Sequence, residues 1–506
     1  MGALLLNCLL ASCALAQIAG TTGVVQGSIS DTSGSGIPAA RVYVRNSDTS
    51  IQRVSQTDEA GNFVIPNVGI GFWRLAVEAT GFTSAETEPF QVSVGQVVVH
   101  RLQLQPAGLV EKLEVREYPT AIEAQASTAS VALGYERIEE APARSRNYLN
   151  FVLAAPSVAP AAGSASQRTM TGVRSPVPDT GFTFAGVRPR NNSIQIDGMD
   201  NRDETTGGNR VAVGLEMVQE FRVSAILIGA ELGGAAGGVL NMVTRSGVNL
   251  WHGDVTWFMQ NEALNAKRSE VDDAMGPRFR RYQPGASAMG PLLRDRTFIA
   301  AAVEYEKEAA DEFGNVPADA LRSLSASPLS DQFNITRELY PTWSRGTESS
   351  VKLDHHAGSV DAFWSRYAFS RGRVLHEVQG ALNFADRSAQ GSSLTTDHSL
   401  VGSWMRVLSP SVANDVRVQI GQRSMNIEPN ARGPMFEVPG FLTFGQFYDM
   451  DADRTERHYQ VVQNLQFAFK RHRISAGADA HIVTLNAAMR NRYSGVYVFP
   501  TLEDLS

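Results

Sequence analysis

Few residues of this chain have the types and spacing that catalysis requires. The sequence has no G-x-S-x-G nucleophile elbow, no G-x-x-x-x-G-K-S/T phosphate loop, no G-x-G-x-x-G dinucleotide loop and no His-x-x-Glu pair. His355 and His356 stand side by side at a predicted short turn, where they could form a metal pair or a solvated turn. The solvated turn is the simpler interpretation. We therefore expect no catalytic activity, no metal site and no cofactor.

The most informative pattern of the chain is the stretch from Val187 to Gly253. Ser193–Ile196 reads as a short strand that ends in an Asp197-Gly198 turn, because Gly accepts a positive φ and Asp can bond to its own following backbone. Val218–Val223 alternates as a second strand. A glycine-rich run follows, and glycine at that density marks tight turns or the close approach of two backbones. On composition alone this run would be an ordinary glycine-rich loop.

The order of these motifs resembles the plug domain of TonB-dependent outer-membrane receptors, in the subgroup often called Oar-like. The matching residues are Arg188, Arg190, Asp197, Gly198, Val218, Gln219, Glu220, Phe221, Gly233, Gly234, Gly237, Gly238, Asn241, Val243, Thr244, Ser246, Gly247, His252 and Gly253. Several linked motifs in the right order are more specific than any one of them. The resemblance implies a plug at residues 107–248. Its Arg188 and Arg190 could pair with carboxylates of a barrel wall, or they could be exposed.

The bulk composition limits the class of protein. A chain of 506 residues is long enough for three or four domains. Its 43% hydrophobic and 19% charged residues fit a folded protein, and the mean hydropathy of -0.16 argues against a helical membrane protein. The formal net charge of -7 gives no reason to expect nucleic acid as a partner.

The N-terminus predicts export. A short apolar stretch ends in the cleavage signal Ala14-Leu15-Ala16, so residues 1–16 are predicted to be a secretory signal peptide and Gln17 the mature N-terminus. The alternative is a lipoprotein box, Leu10-Ala11-Ser12-Cys13, with a lipidated Cys13. Both cysteines of the chain lie in this stretch.

Residues 22–106 predict a small all-β domain. Short strand-like runs between Val24 and Leu104 are separated by Gly-rich turns, a pattern typical of a β-sandwich. The segment also resembles a carboxypeptidase regulatory-like (transthyretin-like) module. The residues that carry this resemblance are Gly27, Asp31, Gly36, Ile37, Pro38, Ala40, Val42, Asp58, Gly61, Phe63, Gly81 and Phe82. Because the sequence supplies no zinc ligands, we interpret this segment as a folding or interaction module.

A charged, strand-like linker, Leu109–Tyr118, joins this domain to the plug. The resemblance implies that an extended segment near this point adds as a strand to the periplasmic protein TonB, where main-chain bonds supply the affinity. The residues that would make this contact are Val110, Lys112, Glu114 and Val115. The alternative is that Lys112–Arg116 forms the first plug strand. Farther on, Ile138–Pro160 has helical spacing at Tyr148, Phe151 and Val152, with Ser145 or Asn147 as possible caps.

Residues 249–506 predict long amphipathic strands. In Val412–Ile420, for example, apolar side chains share one face and Asp415, Arg417 and Gln419 share the other. Any single strand of this kind would also fit a soluble sheet with one wet face. We place nine strands near residues 252–263, 282–292, 297–308, 347–354, 359–370, 396–408, 411–422, 457–470 and 473–484.

The connections between these strands alternate strictly between short and long. This alternation is typical of an outer-membrane barrel with short periplasmic turns and long extracellular loops. Receptors of the kind that the plug resembles use about 22 strands around a plugged lumen. Nine strands cannot close such a barrel, so we expect the chain to be the N-terminal part of a longer protein.

The predicted fold is therefore mainly β. It consists of an Ig/transthyretin-like β-sandwich, an α+β plug and the N-terminal part of an antiparallel outer-membrane β-barrel in the outer membrane of a Gram-negative bacterium. The function that the resemblance implies is TonB-dependent uptake of a large or scarce nutrient, with the plug as gate. The implied partners are TonB with its inner-membrane energising complex, outer-membrane lipid and an unidentified nutrient. The alternative is a non-transporting surface protein or adhesin on the same scaffold.

Overall fold

A computed structural model defines the fold of the chain. It describes residues 21–107, 113–115, 120–121, 129–140, 149–160, 181–205, 207–226, 230, 232–264, 278–313, 316–324, 329, 333, 335, 339–377, 386–409, 411–447, 451–469, 472–490 and 493–505. The predicted signal peptide, Gln17 and Cys13 lie outside these ranges, as do the possible helix caps Ser145 and Asn147. None of the helices in the described part of the chain is long and apolar enough to cross a membrane.

The first eight strands build two small sheets packed face to face. They are β1 (Thr22–Ser30), β2 (Arg41–Asn46), β3 (Gln52–Gln56), β4 (Asn62–Gly69), β5 (Gly71–Glu78), β6 (Ala85–Thr87), β7 (Phe90–Val92) and β8 (Val97–Gln103). One sheet has the order β8-β1-β4, and the other has the order β3-β2-β5-β6 with β7 also on β5. Alternate side chains of both sheets, among them Phe63, Trp73 and Leu102, point inward and form one buried core. The predicted β-sandwich is confirmed.

The linker after this sandwich folds back onto it. β9 (Leu113–Val115) pairs in parallel with β6, and β10 (Thr120–Ala121) pairs antiparallel with β8. The alternative prediction, that Lys112–Arg116 is the first plug strand, is therefore wrong for Leu113–Val115. A strand that follows the sandwich so closely reaches the free edge of β6 before it reaches the plug. We call residues 22–121 the N-terminal module.

The next unit, residues 129–244, is the plug. Its elements are β11 (Ala129–Gly134), α1 (Tyr135–Glu140), α2 (Leu149–Val152), β12 (Val158–Pro160), β13 (Phe182–Phe184), β14 (Ser193–Ile196), β15 (Met199–Asp200), β16 (Val218–Ile226) and β17 (Val239–Thr244). Five of the strands form one sheet in the order β11-β16-β17-β14-β15. Phe151 of α2 stacks on Phe221 of β16 at a centroid distance of 5.8 Å, so the predicted helix packs on the sheet through its apolar face.

The remaining strands belong to a wall and to a lobe at one end of it. They are β18 (His252–Asn261), β19 (Phe279–Leu293), β20 (Thr297–Phe313), β21 (Leu339–Ala357), β22 (Asp361–Glu377), β23 (Gly391–Ser409), β24 (Val412–Pro429), β25 (Met435–Val438), β26 (Leu442–Gly445), β27 (Ala452–Phe469), β28 (His472–Met489) and β29 (Val496–Val498). Nine of them, β18–β24, β27 and β28, pair antiparallel in chain order and form the wall. These are the nine strands that the alternating pattern predicts.

The wall has its polarity reversed relative to a soluble sheet. Its outward face is apolar and exposed, with side chains such as Val255, Trp257, Leu400, Ile420 and Ile482. Its inward face is charged and buried against the plug, with Glu304, Glu306, Glu308, Glu348, Lys352, Arg366, Arg417, Arg423, Arg454, Glu456 and His458. Charged side chains are almost never buried unless they are paired, and an apolar band on the outside suits lipid. The alternative of a soluble sheet with one wet face is therefore wrong.

The two ends of the wall differ as the connection lengths predict. At the end with short turns lies the N-terminal module, whose Arg53 Nη1 donates to the carbonyl of Ser359 at 2.7 Å. At the opposite end, long connections fold into a lobe that contains α3 (Ala318–Leu324) and the three-stranded sheet β26-β25-β29. The core of this lobe includes Phe333 and the stacked rings of Phe436 and Phe444. The described parts of the connections after β20, β24 and β28 therefore pack together.

Candidate functional site at the interface between plug and wall

The predicted Asp197-Gly198 turn is present and joins β14 to β15. Both residues have positive φ values, 52° for Asp197 and 71° for Gly198, which is why an Asp-Gly pair suits this hairpin. The amide of Gly198 donates to Asn241 Oδ1 at 3.0 Å, and Thr244 donates to the Asp197 carboxylate through both its amide and its hydroxyl, each at 2.8 Å. The turn is thus anchored on β17, and several residues of the predicted plug motif meet at one point.

The Asp197 carboxylate also holds the plug to the wall. Arg366 Nη1 on β22 donates to Asp197 Oδ2 at 2.8 Å, and both side chains are fully buried. Lys352 Nζ on β21 lies 4.0 Å from Asp197 Oδ1, and Arg417 Nη1 on β24 donates to the Asp197 carbonyl at 3.0 Å. Burial alone would raise the pKa of Asp197, but the charges of Lys352 and Arg366 and the bonds from Thr244 outweigh it, so the pKa is lowered. We call these five residues the Asp197 network.

A second network lies around Asp203, three residues beyond β15. Its carboxylate accepts hydrogen bonds from Arg423 Nη1 at 2.9 Å and from Arg454 Nη1 at 2.8 Å. Arg423 in turn binds Asp397 in bidentate fashion, at 2.8 Å and 2.9 Å, and Arg454 lies 3.7 Å from Glu456. The result is a buried row of alternating charges across β23, β24 and β27, which we call the Asp203 network. The two arginines hold the pKa of Asp203 well below its usual range, against the effect of burial.

In these networks the charges of the plug and of the wall are opposite to those that the sequence suggests. Arg188 and Arg190 of the plug are exposed, and Arg190 Nη2 donates within the plug to the carbonyl of Glu204 at 2.9 Å. The hypothesis that they pair with wall carboxylates is wrong for the contacts that the described residues make. The plug supplies the carboxylates Asp197 and Asp203, and the wall supplies the arginines. Breaking such a buried pair is costly because it leaves an uncompensated charge.

The glycine-rich run allows close approaches within the plug. A Cβ on Gly238 would lie 2.4 Å from the ring of Phe184, and a Cβ on Gly237 would lie 2.6 Å from Asn192 Oδ1. Gly234 has a φ of 73°, and its carbonyl accepts a bond from Arg202 at 2.8 Å. Gly233 has open space around it, so its lack of a side chain has no packing reason here.

Glu220, another residue of the predicted motif, marks the contact between plug and N-terminal module. Its Oε1 accepts a hydrogen bond from the amide of Val94 at 3.2 Å, and the side chain of Arg222 lies against Gly95 in the same turn of the module. Glu220 is 2% exposed, and burial raises its pKa to about 7, although the Val94 amide and Arg222 oppose the rise. A carboxylate that would be charged in water is therefore half protonated near neutral pH.

This raised pKa makes the contact pH-dependent. A carboxyl whose folded pKa exceeds its unfolded value binds a proton on folding, so stability is greatest below pH ~4.5 and falls as the pH rises through about 7. We expect a loss of roughly 2–3 kcal/mol across that interval. Hydrogen exchange of residues 93–96, measured from pH 5 to pH 8 and corrected for the intrinsic rate, should report it. Glu220→Gln should flatten the profile, and an unchanged pH slope in that variant would assign the effect to another group.

The residues predicted to couple to TonB divide into two pairs. Glu114 and Val115 lie in β9, which is the last strand of its sheet and has β6 as its one neighbour among the described residues. Val110 and Lys112 lie outside the described residues. Because β9 is already paired on one side, a strand added by a partner would extend its other edge.

One group of side chains at the interface could hold a metal ion. It consists of Asp200, His458 and His481, whose ligand atoms all lie within 4.8 Å of one another. His355, by contrast, is at the end of β21, where its Nδ1 contacts Thr297 Oγ1 at 2.9 Å.

Sequence reasoning missed most of the wall side of the site. Arg417 was recognisable as part of a polar strand face, but the sequence does not indicate which plug residue it meets. Arg366, Arg423 and Arg454 are buried at inward positions of β22, β24 and β27, and a polar face rich in arginine is the signal that could have predicted an acidic plug loop. Asp203 lies three residues beyond the Asp-Gly hairpin and has no motif of its own.

These features define a plugged outer-membrane barrel protein with an added β-sandwich, and comparisons with known proteins agree. A model of the carboxypeptidase regulatory-like domain matches residues 24–105, and a model of the outer membrane beta barrel domain matches residues 243–342 and 324–504. Since the second match extends over half of the chain, the chain belongs to the outer membrane β-barrel domain family. The predicted carboxypeptidase regulatory-like domain, the mainly β fold and the Gram-negative outer membrane as location are confirmed.

Three individual proteins illustrate what the chain is similar to. The TonB-dependent transporter Oar of Myxococcus xanthus is 26% identical over 271 residues, which make up 52% of this chain and 25% of that protein. The outer membrane transporter YddB of Escherichia coli superposes with a TM-score of 0.50 at 12% identity, over 71% of this chain and 48% of YddB. A variant of the ferric enterobactin receptor of Pseudomonas aeruginosa gives a TM-score of 0.50 at 13% identity, over 72% of this chain and 50% of the receptor.

The fold is therefore that of the TonB-dependent receptors, and these relatives are transporters and receptors. The chain spans about a quarter of the length of the curated relative and about half of the length of the two solved structures.

Proposed function

We propose that the protein imports a large or scarce nutrient across the outer membrane, with the plug as gate and TonB as the source of work. The observation that carries this proposal is the contact between plug and wall, which consists of buried ion pairs and hydrogen bonds around Asp197 and Asp203. A contact of this kind holds one orientation tightly. Water that enters the lumen can replace each polar partner as the plug moves. An apolar contact would instead have to expose its side chains to water.

The two ends of the wall support a direction for this transport. The N-terminal module contacts the end with short turns, which faces the periplasm in barrels of this kind. The lobe at the opposite end offers a receptor surface on which Tyr493 and Tyr497 are exposed beside the aromatic core. Exposed aromatic side chains on a packed support suit the binding of a nutrient from outside.

TonB would act on the linker that contains β9. Because the outer membrane has no nucleotide supply, work on the plug has to come from the periplasm through a protein that reaches it. Adding a strand to the edge of Leu113–Val115 that no described strand covers would transmit force along the main chain. Such force could also detach β9 from β6, which would free the linker in front of the plug.

The function is tested by growth of cells that produce the protein. They would be supplied with a ferric siderophore, cobalamin, an oligosaccharide or a peptide as the limiting nutrient, with TonB present or deleted. We expect at least one nutrient to be used in a way that requires both the protein and TonB. Growth that never depends on TonB, together with adhesion that depends on the protein, would support the alternative of a surface adhesin and contradict the proposal.

The coupling segment is tested with two variants of β9. Val115→Pro removes a main-chain donor and should abolish uptake of the nutrient and binding of the purified periplasmic domain of TonB. Glu114→Gln changes a side chain and leaves the main chain intact, so both activities should stay near the parental level. Nutrient binding at the cell surface should persist in both variants. If Val115→Pro leaves TonB binding unchanged, the coupling segment lies elsewhere in the chain.

A further inference from the structure

We propose that Asp200, His458 and His481 form a binding site for a divalent transition-metal ion that fastens the plug to the wall. Asp200 ends the plug strand β15, His458 lies on β27 and His481 on β28. Their ligand atoms lie within 4.8 Å of one another, and Asp200 and His458 are buried. One ion would therefore join two strands of the wall to the plug. The site is independent of the proposed transport function.

The two imidazoles already face each other as ligands would. His458 Nδ1 lies 3.0 Å from His481 Nε2, so one proton occupies the space between two ring nitrogens. Nitrogens roughly 2.1 Å from a metal and 3.0 Å apart subtend an angle near 90°. That angle corresponds to neighbouring positions in octahedral or square-planar coordination. Two histidines and one carboxylate with open positions are typical of divalent iron, and tetragonal nitrogen and oxygen ligands are typical of nickel and copper.

A carboxylate outside the cluster orients the buried histidine. Glu456 accepts a hydrogen bond from His458 Nε2, which leaves Nδ1 unprotonated and directed at His481. Metal-binding histidines usually donate their second ring N–H to a carboxylate in this way, and the partner fixes the tautomer. This contact is independent of the proximity of the three ligands, and it is the reason for interpreting the cluster as a site.

Asp200 keeps a free coordination position in spite of its neighbour Arg202. Arg202 Nε donates to Oδ1 at 2.8 Å, whereas Oδ2 accepts, from the residues that the structure describes, the longer bond from the Arg202 amide at 3.2 Å. A carboxylate oxygen has two lone pairs, so Oδ2 can still bind a metal. The Asp200 amide is fixed to the wall by Gln460 Oε1 at 2.9 Å, which holds this ligand in place.

The positive charge of Arg202 beside Asp200 and the two imidazole ligands indicate which class of ion the site would bind. Arg202 reduces the attraction of Asp200 for any cation, so the affinity has to come mainly from the two imidazoles. Hard ions such as calcium and magnesium prefer oxygen ligands, and they gain little from imidazole. We therefore expect binding of divalent first-row transition metals such as iron, cobalt, nickel and copper, whereas zinc would require the two histidines to move apart for a tetrahedral arrangement.

The test uses the full chain, purified in detergent with an affinity tag that lacks histidine and stripped of metal with a chelator. Titration with Ni²⁺ alone, followed by calorimetry, should give one site per chain, and Co²⁺ should give the d–d absorption of nitrogen and oxygen ligands. His481→Gln and Asp200→Asn should each weaken Ni²⁺ binding by about 10-fold or more. The matched control His398→Gln changes a histidine whose Nδ1 contacts Tyr367 on another part of the wall, and it should bind as the parent does.

A second measurement tests the bridge itself. Hydrogen exchange of residues 199–210 should slow on addition of Ni²⁺ in the parent and in His398→Gln, and it should not respond in His481→Gln. Binding that survives both ligand substitutions, or an absence of binding in the parent, would overturn the site. Binding without added protection of residues 199–210 would overturn the bridge between plug and wall.

Discussion

Asp203→Asn is expected to increase local opening of the plug by about 100-fold, which corresponds to about 3 kcal/mol. The substitution keeps the size of the side chain and removes the charge that faces Arg423 and Arg454. Arg423 keeps its bidentate contact with Asp397, but among the described carboxylates Arg454 keeps Glu456 alone, at 3.7 Å, beside its weak contact with Met425 Sδ at 3.4 Å. A buried guanidinium that lacks a close carboxylate is destabilising. The variant therefore weakens the contact between plug and wall. Hydrogen exchange of peptides from β16 and β17 measures this opening.

Two further variants separate this effect from a general loss of stability. Asp311→Asn removes a wall carboxylate whose partner Arg278 is largely exposed, and it should change plug opening far less. Adding Arg454→Met to Asp203→Asn removes the uncompensated charge and should recover most of the protection. Two results would show that the Asp203 network does not hold the plug. One is hydrogen exchange in Asp203→Asn as slow as in the parent, and the other is faster exchange in the double variant than in Asp203→Asn.

The parts of the fold that depend on local pattern could be predicted from the sequence. The nine wall strands follow from alternation of period two, because one face of each strand meets lipid and the other meets the plug. The Asp197-Gly198 hairpin follows from the positive φ that both positions adopt. The wall strands are longer than predicted, since β21 begins at Leu339 and not near residue 347. Its first residues have Pro341 and Arg345 exposed where the alternation would require apolar side chains, so the pattern does not mark them.

The parts that depend on contacts between distant segments could not be predicted. Asp197 and Arg366 are 169 positions apart, and Asp203 and Arg423 are 220 positions apart, so no spacing rule relates them. The sequence motif pointed to Arg188 and Arg190, which are exposed, and not to the buried Asp203. The pairing of β9 with β6 could not be predicted either, because an extended strand can add to any open edge that it reaches.

Cross-linking the plug to the wall is expected to abolish uptake while leaving nutrient binding intact. The amide of Ala212 in the plug donates to Ser370 Oγ on β22 at 3.2 Å, so the two side chains start from adjacent positions. Ala212→Cys combined with Ser370→Cys should therefore meet the distance that a disulfide needs. The two native cysteines, Cys8 and Cys13, lie far from this point in the chain, within the first 20 residues. Cleavage after Ala16 would remove both cysteines, so neither would compete for the new disulfide.

The measurement compares uptake and surface binding in cells that carry this double variant, first oxidised and then reduced, using the nutrient whose use requires TonB. Each single variant serves as a control that cannot form the bridge. If the plug gates the lumen, the oxidised double variant binds the nutrient and does not accumulate it, and reduction restores accumulation. Accumulation at the parental rate with the disulfide closed would contradict the proposal that the plug must move away from the wall.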